Sequence, residues 1–407
     1  MTYNTSSMWI QRDIFEYLEH DSGIFIQILI GPRQCGKSSL LTRIGENKFQ
    51  DIDFDDLQIR TLAQNDPALF LSQHPAPLNL DEVQYVPNLF PQLKLQIDRI
   101  KKENLFNKVK TKIQVLYRLS GSNQILLTKN VRETLVGRAQ YFYLNTLSVS
   151  EIKKSFPKIT VGEIIFNGGL PEIYTNKNLS VVQFLNSYIN NYVQKDIAFS
   201  AGIEKLREFD IVLGLIAARV GQIINYADIA KDSGVKSVTV KEWIGVLEKS
   251  QLVYVLQPYF SNLNKRLIKS PKIYFWDSGL AVRLQGWSEL GPMLKSPSIG
   301  SLFENLVLGE IIKFKQNHGK DWPLFFWRTI DQEEVDFILE INQSTHLAFE
   351  VKWGLNAGSV EIPKKLSVDF PNIKEIILIV PDGPEVILSK SCRQISISAL
   401  GVLLKKY

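Results

Sequence analysis

The chain of 407 residues is long enough for two or three domains, at about 150 residues per domain. Hydrophobic residues make up 45% and charged residues 22%, which excludes a mainly disordered or collagen-like chain. The net charge of +5 is too small to indicate a nucleic-acid partner by itself.

Three features of the sequence bear on location. No apolar run approaches the ~20 residues that cross a bilayer. The first residues lack the basic and apolar stretches of a secretory signal. The two cysteines, Cys35 and Cys392, suggest no disulfide framework. We therefore expect a cytoplasmic protein without a membrane partner.

The first segment, about 1–150, alternates apolar strand patterns with helical patterns. Strands are predicted at 24–30, 78–80, 113–119 and 140–144. Strands that alternate with helices are typical of a parallel, wound sheet. We therefore predict an α/β domain in this segment.

The strand pattern that ends at Ile30 leads directly into a glycine-rich motif. Residues 31–38 match G-x-x-x-x-G-K-[ST] at every fixed position and precede a helical pattern. Such a loop turns backbone N–H groups toward phosphate oxygens, and the following helix adds its positive end. Lys37 would reach the β- and γ-phosphates, and Ser38 would ligate Mg²⁺. The predicted ATP contacts are Gly31, Pro32, Arg33, Gln34, Cys35, Gly36, Lys37, Ser38 and Ser39.

A second motif weakens the alternative, which is a chance Gly-Lys-Ser turn. Asp81 and Glu82 follow a short apolar strand pattern downstream of the loop. Asp81 would hold Mg²⁺, and Glu82 would polarise the water that attacks the γ-phosphate. A solvated turn is the alternative for a lone Asp-Glu pair.

Two further polar residues are candidates for the hydrolytic reaction. Asn123, or its neighbour Ser122, follows the predicted strand 113–119 and would orient the γ-phosphate or water. Arg138 would stabilise transition-state charge, in cis or on a neighbouring subunit of an oligomer. An exposed arginine after a glycine turn is the alternative for Arg138.

These motifs together resemble a known family. Residues 31–38, 80–84 (Leu-Asp-Glu-Val-Gln), 119–123 (Leu-Ser-Gly-Ser-Asn) and 135–138 (Leu-Val-Gly-Arg) are similar to prokaryotic AAA-type P-loop ATPases with a C-terminal domain of unknown function. The resemblance extends to the middle of the chain, at 168–172 and 191–197. It implies ATP binding, with hydrolysis, and supplies no substrate.

The second segment, about 151–290, is predicted to be mainly helical. Within 203–276, two helical patterns separated by Gly234 precede two strand patterns, which is the order of a winged helix-turn-helix. Val238, Ile244 and Leu247 are predicted to face its core. Four basic residues at the tip of the predicted wing could contact the phosphates of duplex DNA: Lys265, Arg266, Lys269 and Lys272. Packing or binding of a protein partner is the alternative.

The third segment, about 295–407, returns to a mixed α/β pattern. Glu304 lies on a predicted helix, Asp336 on one strand, and Glu350 and Lys352 on one face of another. This set resembles the Asp…Glu-x-Lys motif of the restriction-endonuclease-like fold, with Glu304 as an additional ligand. The three carboxylates would hold Mg²⁺ or Mn²⁺, and Lys352 would orient water or stabilise charge. A cross-strand ion pair is the alternative.

The sequence thus predicts a P-loop NTPase sheet domain, then a helical winged-helix domain, then a small restriction-endonuclease-like domain. The favoured function is an ATPase that acts on DNA or is regulated by it. The alternative is a switch ATPase whose C-terminal domains bind protein partners and cleave nothing.

Overall fold

The computed structural model describes residues 8–19, 23–46, 48–106, 114–121, 134–198, 201–259, 270–329, 331–354 and 360–407. The chain divides into two compact units, Gln11–Asn145 and Thr146–Tyr407, and the second unit includes Met1–Ile10. Segments two and three of the sequence thus share one unit. The division into three domains stays a prediction.

The unit Gln11–Asn145 is built on a five-stranded sheet. Its strands are β1 Ile26–Ile30, β2 Gln50–Asp53, β3 Leu78–Asp81, β4 Tyr117–Gly121 and β5 Ala139–Tyr143. Its helices are α1 Phe15–Glu19, α2 Lys37–Gly45, α3 Leu57–Asn65, α4 Pro67–Gln73 and α5 Leu89–Phe106, with a 3₁₀ turn at Val83–Tyr85. The predicted α/β character of the first segment is confirmed.

The sheet order β2-β3-β4-β1-β5 places the strands that carry the polar motifs next to one another. All four strand pairs are parallel, so the carboxyl ends of the strands lie along one edge. Parallel α/β sheets bind ligands at this edge. The loop after β1 and the carboxylates that end β3 therefore meet there.

The unit Thr146–Tyr407 begins with helices that alternate with short turns. The helices up to residue 294 are α6 Val149–Ser155, α7 Val161–Asn167, α8 Pro171–Thr175, α9 Val181–Tyr188, α10 Leu206–Ala218, α11 Tyr226–Ser233, α12 Ser237–Lys249, α13 Ser278–Leu284 and α14 Leu290–Leu294, with a π-helical segment at Ile189–Ile197. Strands β6 Val253–Leu256 and β7 Lys272–Phe275 form an antiparallel hairpin after α12. The predicted order of two helices and a hairpin is therefore present.

One prediction about this helix pair is wrong. Val238 is 67% exposed, whereas Val240, Trp243, Ile244 and Leu247 are buried. The buried positions follow the i, i+3, i+4, i+7 spacing of one helix face, and Val238 lies outside it.

The rest of this unit is a mixed sheet with a long helix. The strands are β8 Leu324–Arg328, β9 Glu334–Asn342, β10 Thr345–Val351, β11 Ile376–Val380, β12 Val386–Ser389 and β13 Cys392–Ser396, in the order β12-β13-β11-β10-β9-β8. The helices are α15 Ile299–Asn317, α16 Lys364–Asp369 and α17 Leu400–Leu404, with a 3₁₀ turn at Ile397–Ala399. The winged-helix and nuclease-like assignments stay predictions.

The tryptophans are distributed unevenly between the units. All seven tryptophans lie in Thr146–Tyr407 or in the residues up to Ile10, and Gln11–Asn145 contains none. Across the described ranges, no helix combines the length and apolar character that crossing a membrane requires.

Candidate functional site

The glycine-rich loop lies between β1 and α2, where the sequence places it. A Cβ on Gly31 would lie 2.0 Å from the carbonyl oxygen of Leu144, so only glycine fits there. Gln34 and Gly36 both have left-handed backbone, with φ of 61° and 94°. Alternation of left- and right-handed residues turns successive N–H groups toward one side and makes a concave site for an anion.

The Arg12 side chain stabilises this loop through hydrogen bonds to the backbone, a role that the sequence analysis missed. Its guanidinium is buried and donates to the carbonyl oxygen of Cys35 at 2.8 Å and to that of Asn145 at 2.6 Å. The Cys35 thiol also contacts the carbonyl oxygen of Leu144 at 3.3 Å. Cys35 is therefore a buried packing residue of the loop, fastened to the chain that follows β5.

The Lys37 side chain folds back onto the loop. Its Nζ donates to the carbonyl oxygens of Gly31 at 3.0 Å and Pro32 at 2.9 Å. The ammonium therefore lies inside the concave loop, where it can meet phosphate oxygens. Arg33, Gln34, Ser38 and Ser39 are exposed around it.

Two serine hydroxyls converge on Asp81 at the end of β3. The Ser38 hydroxyl donates to Oδ2 of Asp81, and the Ser120 hydroxyl donates to Oδ1 at 2.5 Å. Ser120 lies on β4 and is fully buried, and sequence reasoning did not single it out. A hydroxyl and a carboxylate side by side are the hard oxygen donors that Mg²⁺ prefers, so Ser38 and Asp81 fit this ion.

Glu82 lies directly beside this pair in a strained conformation. Its φ is 53°, which is uncommon for a residue other than glycine, and such strain clusters at functional sites. The Gln84 amide donates to the Glu82 carboxylate, and the Glu82 N–H donates to Asp81 at 3.0 Å. The Glu82 carboxylate is therefore held in place near the end of β3.

The sequence analysis also missed acidic residues at the same edge. Asp53 ends β2 in register with Asp81, and its carboxylate accepts from the N–H of Asp55 at 2.8 Å. Burial raises the pKa of Asp55, and the charges of Asp53 and Glu82 raise it further. The only signal was a short polar strand, Gln50–Asp53, which carries one buried residue.

Arg138 already has a carboxylate partner. The Arg138 guanidinium makes a two-pronged ion pair with Asp98 on α5, at 2.7 and 2.8 Å. The hydrogen bond with Arg138 lowers the pKa of Asp98, and the same bond raises the pKa of Arg138. A role in transition-state stabilisation would require Arg138 to leave this pair. Asn123 and Ser122 lie outside the described residues.

In the other unit, the four predicted C-terminal residues come together around one face of the sheet. The Glu350 carboxylate lies 3.2 Å from Nζ of Lys352, and the Asp336 carboxylate accepts from the N–H of Val351 at 2.8 Å. Burial raises the pKa of Glu350 to about 8 and that of Glu304 to about 7, and the charge of Asp336 raises both. We call Glu304, Asp336 and Glu350 the carboxylate cluster.

Lys272 also points into the carboxylate cluster, and this corrects one prediction. Its Nζ lies 3.2 Å from Glu304 and 2.5 Å from Glu334, and only 4% of its side chain is exposed. The Tyr274 hydroxyl donates to the same Glu304. The prediction that Lys272 contacts DNA is wrong for this structure, because the ammonium is buried between two carboxylates. Lys265, Arg266 and Lys269 lie outside the described residues.

The carboxylate cluster does not fit a metal ion in this arrangement. Within the described ranges, no three His, Cys, Asp or Glu side chains form a group that could hold one. Two carboxylates of the cluster already have lysine partners, because Glu304 pairs with Lys272 and Glu350 pairs with Lys352. Metal binding by Glu304, Asp336 and Glu350 stays a prediction.

Models of three known families match consecutive segments of the chain. Residues 25–153 match the model of the AAA domain family. Residues 159–291 match a domain of unknown function (DUF8612), and residues 299–396 match another (DUF4143).

Several curated relatives can be aligned with most of this chain. An uncharacterized protein of Mycobacterium tuberculosis is 27% identical over 80% of this chain and 70% of its own length. One of Methanocaldococcus jannaschii is 23% identical over 76% of this chain and 72% of its own. A solved structure, the Walker-type ATPase of Pyrococcus abyssi, matches 68% of this chain and 96% of its own at 16% identity, with a TM-score of 0.39. The family match over residues 25–153 assigns an AAA-type P-loop domain to that part of the chain.

Proposed function

We propose that the unit Gln11–Asn145 hydrolyses ATP to ADP and phosphate, and that turnover acts as a switch for Thr146–Tyr407. One observation carries this proposal. Asp81 accepts hydrogen bonds from both Ser38 and Ser120, directly beside the strained Glu82 and the glycine-rich loop. A decayed nucleotide site would have little reason to keep these convergent hydrogen bonds.

The residues of this site have separable roles. The loop N–H groups and Lys37 would bind the β- and γ-phosphates, and Ser38 and Asp81 would hold Mg²⁺. Bound Mg²⁺ would neutralise the charge that develops on the phosphates. Glu82 would accept a proton from the attacking water, because its carboxylate is held at the strand end nearest the loop.

Phosphate release with ATP and Mg²⁺ tests the proposal. Lys37→Ala should abolish nucleotide binding, and Glu82→Gln should retain binding but lose turnover, because an amide cannot accept the proton. Two exposed residues on the same unit provide matched controls, Lys48→Ala and Glu46→Gln. A wild-type protein that binds no ATP, or a Glu82→Gln protein that turns over normally, would contradict the proposal.

The carboxylate cluster favours the switch over an ATP-controlled nuclease. The Lys272 ammonium occupies the neighbourhood in which a cleaving site would need a metal ion. An effect of DNA remains a prediction, with Lys265, Arg266 and Lys269 as its contacts. Stimulation of ATP turnover by duplex DNA, weakened in Lys265→Ala/Arg266→Ala and by added salt, would support it.

A further inference from the structure

The β6–β7 hairpin and the C-terminal sheet meet at a buried ion pair. Lys272 is the first residue of β7, and its Nζ reaches Glu304 on α15 and Glu334 on β9. The same ammonium lies 5.5 Å from the ring centre of Phe326 on β8. Tyr274, two residues along β7, adds a hydrogen bond to Glu304. One side of the hairpin therefore binds a helix and two strands.

Charges around this contact are nearly balanced without any ion. Four carboxylates lie there, from Glu304, Glu334, Asp336 and Glu350. Three cations face them, because Lys272, Lys352 and Arg328 pair with Glu304, Glu350 and Glu334 at 3.2, 3.2 and 3.3 Å. The fourth carboxylate, that of Asp336, accepts a hydrogen bond from the N–H of Val351 at 2.8 Å. The cluster thus has little unbalanced charge with which to attract a dication.

We infer that the Lys272 ammonium is the resident cation of the carboxylate cluster, in the place of a divalent metal ion. It stabilises the contact between the hairpin and the C-terminal sheet, because a lone buried ammonium or carboxylate would be costly. A divalent ion would have to displace a like-charged group from Glu304. The wild-type cluster therefore excludes divalent metal while Lys272 is bound. This inference goes beyond the proposed ATPase and does not depend on it.

Mn²⁺ binding to the full chain without nucleotide tests this inference. All proteins carry Asp81→Asn, so that the nucleotide site contributes little, and free Mn²⁺ is measured by electron paramagnetic resonance. The parent should bind no Mn²⁺ that Asp336→Asn removes. Lys272→Met keeps most of the side-chain length but not the charge, and it should gain one Mn²⁺ site at least about tenfold tighter than any Mn²⁺ binding by the parent. Mn²⁺ should also raise the unfolding midpoint of Lys272→Met alone.

Two controls separate loss of charge from loss of packing. Lys272→Arg keeps a cation and should gain no site. Lys313→Met removes another buried lysine of the same unit, which pairs with Glu310 at 3.2 Å, and should also gain none.

A parent that binds Mn²⁺ in an Asp336-dependent way would overturn the inference, and so would a folded Lys272→Met protein without a new site. If Lys272→Met does not fold, Lys272→Met/Glu334→Gln removes one charge of each sign and leaves the cluster itself intact. A folded double variant without a new Mn²⁺ site would likewise overturn the inference.

Discussion

At the residue scale, the proposed nucleotide site depends on neutral side chains that hold two carboxylates in position. Ser120 fixes Asp81 and Gln84 fixes Glu82, and both supporting side chains are buried. The Asp-Glu pair was predictable because its residue types and its distance from the loop follow a local pattern. Ser120 was not singled out, because a serine on a strand has meaning only when the neighbouring strand is known.

Ser120→Ala should lower the rate of ATP turnover by about 10- to 100-fold and leave ATP binding nearly unchanged. The reason is that a hydrogen bond to a charged group contributes about 1.5–3 kcal/mol, and this one orients Asp81 rather than the phosphates. Steady-state phosphate release gives the rate, and equilibrium nucleotide titration gives the affinity. Ser72→Ala, on an exposed part of the same unit, should change neither. Equal losses for both variants would contradict this role.

At the scale of elements, sequence patterns located most strands and helices but not their partners. The strands β8 and β11 lie where the alternating and apolar patterns predict them, at Leu324–Arg328 and Ile376–Val380. β2 was missed because the residues Gln-Asp-Ile-Asp bury only the isoleucine. The role of Lys272 was missed because its partners lie far along the chain, on elements that only the tertiary fold brings together.

Gly31→Ala should destabilise the unit Gln11–Asn145 by about 1–3 kcal/mol, because the new methyl would overlap a backbone carbonyl that cannot move aside. Urea unfolding followed by circular dichroism measures the change. Gly214→Ala is the matched control, since a Cβ there meets nothing within 4 Å on helix α10. That control should be neutral or stabilising by about 0.5–1 kcal/mol. A Gly31→Ala protein as stable as wild type would show that the close contact is absent.

The carboxylate cluster should make the stability of Thr146–Tyr407 fall as pH rises from about 4.5 to about 8. Burial raises the folded-state pKa of Glu350 to about 8, so the folded form retains a proton that the unfolded chain releases. This stabilisation is fully present below the pKa that Glu350 has in the unfolded chain. It is lost as pH rises through the pKa that Glu350 has in the folded chain. Its slope is at most about 1.4 kcal/mol per pH unit for one proton.

Urea unfolding followed by tryptophan fluorescence at several pH values measures this slope. Glu350→Gln mimics the protonated form and should flatten it. Glu361→Gln, at an exposed position, should leave it as in the wild type. A slope that Glu350→Gln does not change would assign the pH dependence to other groups.

At the scale of the whole molecule, the chain separates the unit with the glycine-rich loop from a larger unit with its own core. That separation was predictable near residue 150 because the strand-helix alternation ends there. The grouping of 151–290 with 295–407 was not, since it depends on long-range contacts such as those of Lys272.

The uneven placement of tryptophan gives a direct test of switching. If ATP turnover changes Thr146–Tyr407, adding ATP and Mg²⁺ should change tryptophan emission, because every tryptophan lies outside Gln11–Asn145. The change should saturate with nucleotide and disappear in Lys37→Ala. Unchanged emission in a protein shown by titration to bind ATP would contradict the switch.

Arg12 has a mechanical consequence. One nitrogen of its guanidinium donates a hydrogen bond to the carbonyl oxygen of Cys35 in the phosphate loop, and another donates to the carbonyl oxygen of Asn145. Asn145 is the last residue of its unit, and its peptide bond to Thr146 is one of the two places where the chain passes into the other unit, the second being Ile10–Gln11. We therefore expect a displacement of the phosphate loop to reach, through one rigid planar group, the residue that ends this unit.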